Sequence, residues 1–173
     1  MRLNLPVLDE EYPFPEGESL VSTTDLKGHI LYCNPAFVRV SGYTREQLVG
    51  QPHNLIRHPD MPSEAYRDMW ATIRSGSPWS ALVKNRRADG RYYWVQANVT
   101  PLLSNGQPTG YMSVRTKPSR EAVEGATRLY ARMRAEAESG QLVHTLNNGQ
   151  VRKTTLIGRI VQASQLEMAN RLT

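Results

Sequence analysis

The sequence predicts an α+β fold: a five-stranded antiparallel sheet interrupted by short helices, followed by C-terminal helices. Three observations carry that expectation. Two short β-like runs meet at Asp25-Leu26-Lys27-Gly28, and three longer alternating runs are joined by Ala88-Asp89-Gly90 and Ser104-Asn105-Gly106, both strong hairpin signals. Between the two sets lie several short, well-capped helical stretches.

Leu20 to Thr24 and His29 to Cys33 form the first hairpin, with Gly28 where a positive φ is cheap. Asn34-Pro35 starts a helix, Asn as N-cap and Pro at the first helical position, with Ala36, Phe37 and Val40 on its apolar side and Gly42 at its end. Thr44-Arg45-Glu46-Gln47 has the capping-box spacing for a further helical turn, closed by Gly50. Ser63 is expected to cap a helix reaching Ser75, where Tyr66, Met69, Trp70 and Ile73 recur at i, i+3, i+4 and i+7.

The last three strands are Trp79 to Arg87, Arg91 to Leu103 and Gln107 to Lys117. Alternation places Tyr93, Val95, Ala97 and Val99 toward the core, and Trp79, Ala81 and Val83 share a face with Asn85. By the same parity Arg115 faces inward with Ser113 and Tyr111. After Pro118 the pattern changes to helix: Ser119 caps Val123, Ala126, Tyr130, Met133 and Ala137, and a second helical stretch runs from Ile157 to Leu172. The chain therefore divides into an N-terminal cap (1–18), a sheet domain (19–118) and a helical linker (119–173). The last pattern runs to the final residue, which predicts a piece of a longer protein.

At 173 residues with 39% hydrophobic content, the chain holds one core and an accessory segment. Cys33 is the single cysteine, which excludes internal disulfides and a cysteine-held zinc or iron-sulfur centre and predicts a reducing, cytoplasmic setting. No apolar run is long enough for a membrane span, so no membrane contact by this stretch is expected. Residues 19–118 carry a net +6 against −4 before and +3 after. Those cations are scattered over separate elements with no reading motif, so nucleic acid is not an expected partner. Motifs for nucleotide-dependent, hydrolytic or metal catalysis are absent, and an enzyme is not expected.

The most informative stretch is Asn54 to Pro62. Pro59 and Pro62 stiffen the loop that carries Arg57, His58 and Asp60, charged residues that no core requires. The order of elements resembles a PAS domain, a cupped sheet with helices closing a pocket. The motifs resemble one branch, the bacterial aerotaxis receptors: Ser22-Thr23-Thr24-Asp25, Val40-Ser41-Gly42-Tyr43-Thr44, Gly50-Gln51-Pro52-His53-Asn54, Arg57-His58-Pro59-Asp60-Met61-Pro62, Trp79-Ser80, Lys84-Asn85-Arg86-Arg87 and Gly110 to Thr116. The resemblance covers residues 18 to 118. It implies non-covalent FAD as a redox sensor, and a homodimeric receptor with a HAMP segment, a chemotaxis signalling region and an anchor in the inner membrane. Haem-binding and cofactor-free PAS modules are the rival readings; the helix from Ser63 to Ser75 holds no histidine to serve as an axial ligand.

Candidate cofactor contacts follow from these residues. Arg57 offers a fork and a stacking plane for a pyrophosphate and an adenine; His58 and Asp60 either join it, cap the next helix or pair with each other. In light-sensing flavin relatives the third position after the matching glycine is the cysteine that bonds the flavin; here it is His53, so that adduct is excluded. Asn85 and Asn34 have amides suited to the alternating edge of a flavin ring, Asn34 being equally explained as an N-cap. Trp79, Tyr93, Tyr66 and Trp70 are first of all core, and two of the four are expected to touch FAD; Arg115 is expected to meet a carboxylate, the ligand's polar edge or solvent at the strand end. The helical stripe after Pro118 either packs back on the sheet or pairs with a second chain. The resemblance favours pairing, so residues 119–173 are expected to promote self-association, and a chain ending near Lys117 to stay smaller and keep its flavin.

Overall fold

The computed structural model describes residues 2–153; the helical pattern at Ile157 to Leu172 lies outside them. The chain begins with β1 (Leu20–Thr24), β2 (Ile30–Cys33), α1 (Pro35–Ser41) and α2 (Arg45–Leu48), then a 3-10 turn at His53–Ile56 and the long helix α3 (Ser63–Arg74). Strands β3 (Trp79–Arg86), β4 (Tyr92–Ser104) and β5 (Gln107–Thr116) follow, then α4 (Arg120–Ser139) and a separate hairpin, β6 (His144–Asn147) and β7 (Gln150–Lys153). Five strands make one antiparallel sheet in the order β2-β1-β5-β4-β3, with the N-terminal hairpin joined through β1 to β5.

Local chemistry explains most boundaries. Asn34 accepts from Phe37 N and caps α1, which stops at Gly42 with φ 74°. Thr44 and Gln47 close the expected capping box on α2. The cap of α3 differs from expectation: Pro62 occupies the N-cap position and Ser63 is the first helical residue. Proline there has no donor to waste and its fixed φ leads the chain straight into the helix.

Parity holds through the sheet. Tyr93, Val95, Ala97 and Val99 are buried on the helix-covered face, with Trp79, Ala81, Val83 and Asn85 beside them. The opposite face is covered by α4, whose Val123, Tyr130 and Met133 are buried. The Tyr130 hydroxyl donates to Leu82 O at 2.6 Å, and its ring stacks on Trp94 with centroids 6.2 Å apart. Of the two destinations open to the helical stripe, α4 takes the sheet of its own chain. The β6–β7 hairpin was not expected at all. It turns at Asn148-Gly149, with φ of 51° and 79°, and lies against α3.

Candidate functional site

Helix α3 stands over the concave face of the sheet and leaves a cavity of about 220 Å³ between them. Met69, Ile73, Val83, Ala97 and Val99 make its apolar surface, and Tyr66, Trp70, Trp79 and Tyr111 its aromatic walls. Trp70 meets Tyr111 edge-on at 5.8 Å. It also lies over Gly28, where a Cβ would come 3.2 Å from the indole and the φ of +86° disfavours any side chain, so glycine at that turn sets the position of the wall. Exposed Lys27 and Asn54 mark the mouth.

The cavity has a definite electrostatic sign. Lys27, Arg57 and Arg115 line it, and none of its lining residues is an aspartate or glutamate. Arg115 is 4% exposed and donates through Nη2 to Ser22 Oγ (3.1 Å) and His53 Nε2 (2.5 Å), while its Nη1 has no partner. Burial pulls its pKa down to about 10, which leaves the guanidinium charged at neutral pH. Because Arg115 occupies the Nε2 lone pair, His53 carries its proton on Nδ1. Desolvation and then the Arg115 charge hold His53 neutral, with a pKa of about 3.

Arg57 places its guanidinium 3.9 Å over the Tyr66 ring, with Nε and Nη2 buried and unpartnered. Its backbone bridges to Asn85 across the strand edge. Asn85 is 3% exposed with Nδ2 likewise unpartnered. Buried donors without acceptors are rare in native proteins because each costs about 1–3 kcal/mol. Here three cavity residues carry them. The arrangement suits a flat, acceptor-rich ligand with negative charge.

The structure thus brings together His53, Arg57, Tyr66, Trp70, Trp79, Asn85 and Arg115. Four other candidates serve elsewhere. Asn34 has its amide engaged with Val21 N, Phe37 N and Ser19 O, the N-cap account. His58 and Asp60 are not among the cavity-lining residues, although Arg57 next to them is. The His58 ring is buried edge-on against Tyr92 and accepts from Asp60 N, while Asp60 pairs with Lys84 at 2.7 Å and offers its carbonyl to Arg134 of α4. Tyr93 is fully buried with an unpartnered hydroxyl but does not line the cavity.

Sequence reading missed Ser22, which holds both Arg115 and His53, and Asn4. The Asn4 amide donates to Asn54 O and Arg57 O, both at 2.9 Å, tying the N-terminal segment to the loop that carries Arg57. Strand parity was a usable signal for Ser22; nothing local marks Asn4.

The histidines set an acid limit on the fold. Desolvation and the Lys84 charge bring His58 from 6.5 to about 4. A folded pKa below the unfolded one means that the folded state favours the neutral ring. This stability is complete above about pH 6.5 and is lost as pH falls toward the folded value, because the unfolded chain takes up protons first. For His58 the loss between pH 6.5 and about 4.5 is on the order of 2 kcal/mol. Urea melts at the two pH values check this: His58→Gln should flatten the acid loss, and an unchanged slope would refute the assignment.

The comparisons with known proteins agree with this geometry. The family model described as PAS fold matches residues 30–115. The chain is 42% identical over 154 residues to the aerotaxis receptor of Escherichia coli (strain K12), covering 89% of this chain and 30% of the receptor. It is 36% identical over 96 residues to the nitrogen fixation regulatory protein of Klebsiella oxytoca, covering 55% of this chain and 19% of that protein. The chain therefore spans less than a third of either relative. Among solved structures, the light state of the blue-light photoreceptor Aureochrome1 LOV superposes with a TM-score of 0.57 at 22% identity, over 67% of this chain and 91% of that one, a likeness of fold. A five-stranded sheet in this order, cupped around a cavity under α3 and matched in sequence from residue 30 to 115, makes the chain a member of the PAS family.

Proposed function

We propose that this PAS domain is a redox sensor that binds FAD non-covalently and relays the flavin's redox state by conformational change, as the input module of a chemotaxis receptor acting in aerotaxis. The observation that carries the reading is the set of unpartnered buried donors on Arg57, Asn85 and Arg115 around an aromatic cavity that no acidic side chain lines. A flavin, when bound, supplies reversible electron uptake. Asn85 and Arg115 would meet the carbonyl-bearing edge of the ring, Tyr66, Trp70 and Trp79 would wall it, and Arg57 would hold the diphosphate or adenine near the mouth. A cavity of about 220 Å³ is below the 300–1,000 Å³ typical of drug-sized sites. It would take the ring system, with the adenine end outward past Asn54 and Lys27.

Similarity to the aerotaxis receptor supports a signalling role over an enzymatic one. In that setting the partners are a second copy of the receptor and its HAMP and chemotaxis signalling regions. The membrane anchor lies elsewhere in the longer protein, with this domain on the cytoplasmic side; among the described residues no helix is long and apolar enough to cross a membrane. Haem is disfavoured because His53, the histidine lining the cavity, has its Nε2 lone pair engaged by Arg115.

Purified protein should be yellow and release FAD on denaturation, identified by chromatography. A Soret band would support haem instead, and a colourless protein that takes up no added flavin would support a cofactor-free module. In the same preparation Asn85→Ser should weaken flavin retention by about tenfold or more and alter the flavin spectrum or potential, because the ring edge loses a buried partner worth about 1–3 kcal/mol. A wild-type spectrum, potential and affinity in that variant would make Asn85 a structural residue.

A further inference from the structure

Helix α3 has two working faces. One carries Tyr66, Met69, Trp70 and Ile73 into the cavity. The other carries Glu64, Asp68 and Thr72, spaced four residues apart and all buried, an unusual stripe for the inward side of a helix because buried carboxylates need dedicated donors. Arg67 donates to both oxygens of Glu64, and the β6–β7 hairpin adds backbone donors to both carboxylates. Glu64 Oε1 accepts from Leu146 N at 3.0 Å, and Asp68 accepts from the two turn amides, Asn148 N at 2.9 Å and Gly149 N at 2.7 Å. Thr72 Oγ1 meets Asn148 Oδ1 at 3.0 Å. Gly149 itself presses on the start of β3, where a Cβ would stand 1.9 Å from Ser80 O.

Asp68 joins these two sides. The same Oδ2 that accepts from Gly149 also accepts from the indole Nε1 of Trp79 at 2.7 Å, and Trp79 is a wall of the cavity. One buried carboxylate thus holds a cavity wall, the cavity helix and the turn of a hairpin some eighty residues away. If the hairpin leaves, Asp68 keeps one strong donor and loses two.

We propose that the β6–β7 hairpin is a clasp on the back of the cavity helix, with Asp68 as the positioning residue that couples cavity occupancy to docking of the chain leaving the domain. The coupling is reciprocal: whatever shifts α3 or Trp79 from inside changes the docking equilibrium of the hairpin, and releasing the hairpin loosens the wall by the same free energy. The hairpin side of this statement stands on geometry alone; the ligand side rests on the flavin reading above.

The full chain tests it with three substitutions. Gly149→Ala cannot dock without moving Ser80. Gly106→Ala is the control, since it places a side chain at a similar positive φ of 74° in the β4–β5 turn, with nothing within 4 Å of the new Cβ. Asp68→Asn removes the charge and turns one of the two acceptor oxygens into a donor without changing size. Gly149→Ala and Asp68→Asn should each lower hydrogen-exchange protection across 144–153 at least tenfold, shift Trp79 emission, and release bound FAD at least tenfold faster. Gly106→Ala should do none of these. If Gly149→Ala releases FAD no faster than Gly106→Ala, or if Asp68→Asn leaves the turn amides of Asn148 and Gly149 protected, the clasp is refuted. Should the wild-type protein hold no flavin, the flavin reading fails by itself, and exchange across α3 together with Trp79 emission still decides for or against the clasp.

Discussion

Arg57→Ala is expected to abolish FAD retention and to leave the cofactor-free domain as stable as before. The two halves of this expected result have one cause. In the protein alone the guanidinium is desolvated, its Nε and Nη2 are unpartnered and burial pushes its pKa down. Removing it therefore relieves a cost that roughly offsets the lost contact with the Tyr66 ring, a cation–π pair worth about 1–2 kcal/mol. With FAD bound the same groups would make charge-assisted hydrogen bonds worth about 1.5–3 kcal/mol each, so losing two of them should weaken binding by about a hundredfold or more. Flavin content after purification and thermal melts of the stripped proteins measure both halves. Full flavin occupancy in the variant, or a collapse of the stripped protein's stability, would reassign Arg57 to the fold.

Ending the chain at Lys117 should destabilise the domain and cause it to associate, whereas a chain ending at Lys153 remains stable. From the sequence the opposite was expected, with residues 119–173 as the associating part. The structure reverses this for α4, since Val123, Tyr130 and Met133 are buried against the sheet of the same chain and Trp94 lies beneath them. Burying side chains of that size stabilises by about 1.5–3 kcal/mol each. The loss is on the order of 5 kcal/mol, as large as the whole stability of many domains. It also uncovers Trp94 and Leu82 as an apolar patch and deprives Glu64 and Asp68 of the hairpin. Light scattering and melting curves on the two lengths decide the matter; equal midpoints with both chains monomeric would mean that α4 contributes nothing to the domain.

How far each part of the site was legible follows from how locally it is encoded. In the strands, a period of two places every side chain once the strand is recognised. Arg115, Asn85 and Trp79 were therefore assigned inward from parity, and the structure puts all three at the cavity. In the loop from Arg57 to Pro62 no period applies. Arg57 enters the cavity, while His58 and Asp60 turn to Tyr92, Lys84 and Arg134; three neighbours of similar polarity are separated only by tertiary packing. Tyr93 has the right parity but lies behind the wall, because the depth of a cavity depends on the side chains above it.

The C-terminal hairpin shows the same limit from the other side. Asn148-Gly149 is the same turn signal as Asn105-Gly106, with matching positive φ values. It went unread because β7 is exposed along its whole length and shows no alternation. By itself the sequence determined the five strands of the sheet, their turns, most helix caps and the inward parity, since propensity, capping and periodicity act within a few residues. The tertiary structure alone decided which polar groups face the cavity, that α4 closes the sheet of its own chain, and that Asn4 and Asp68 hold segments fifty to eighty residues distant. The partner of a buried polar group is set by what the fold brings beside it, and no local pattern encodes that.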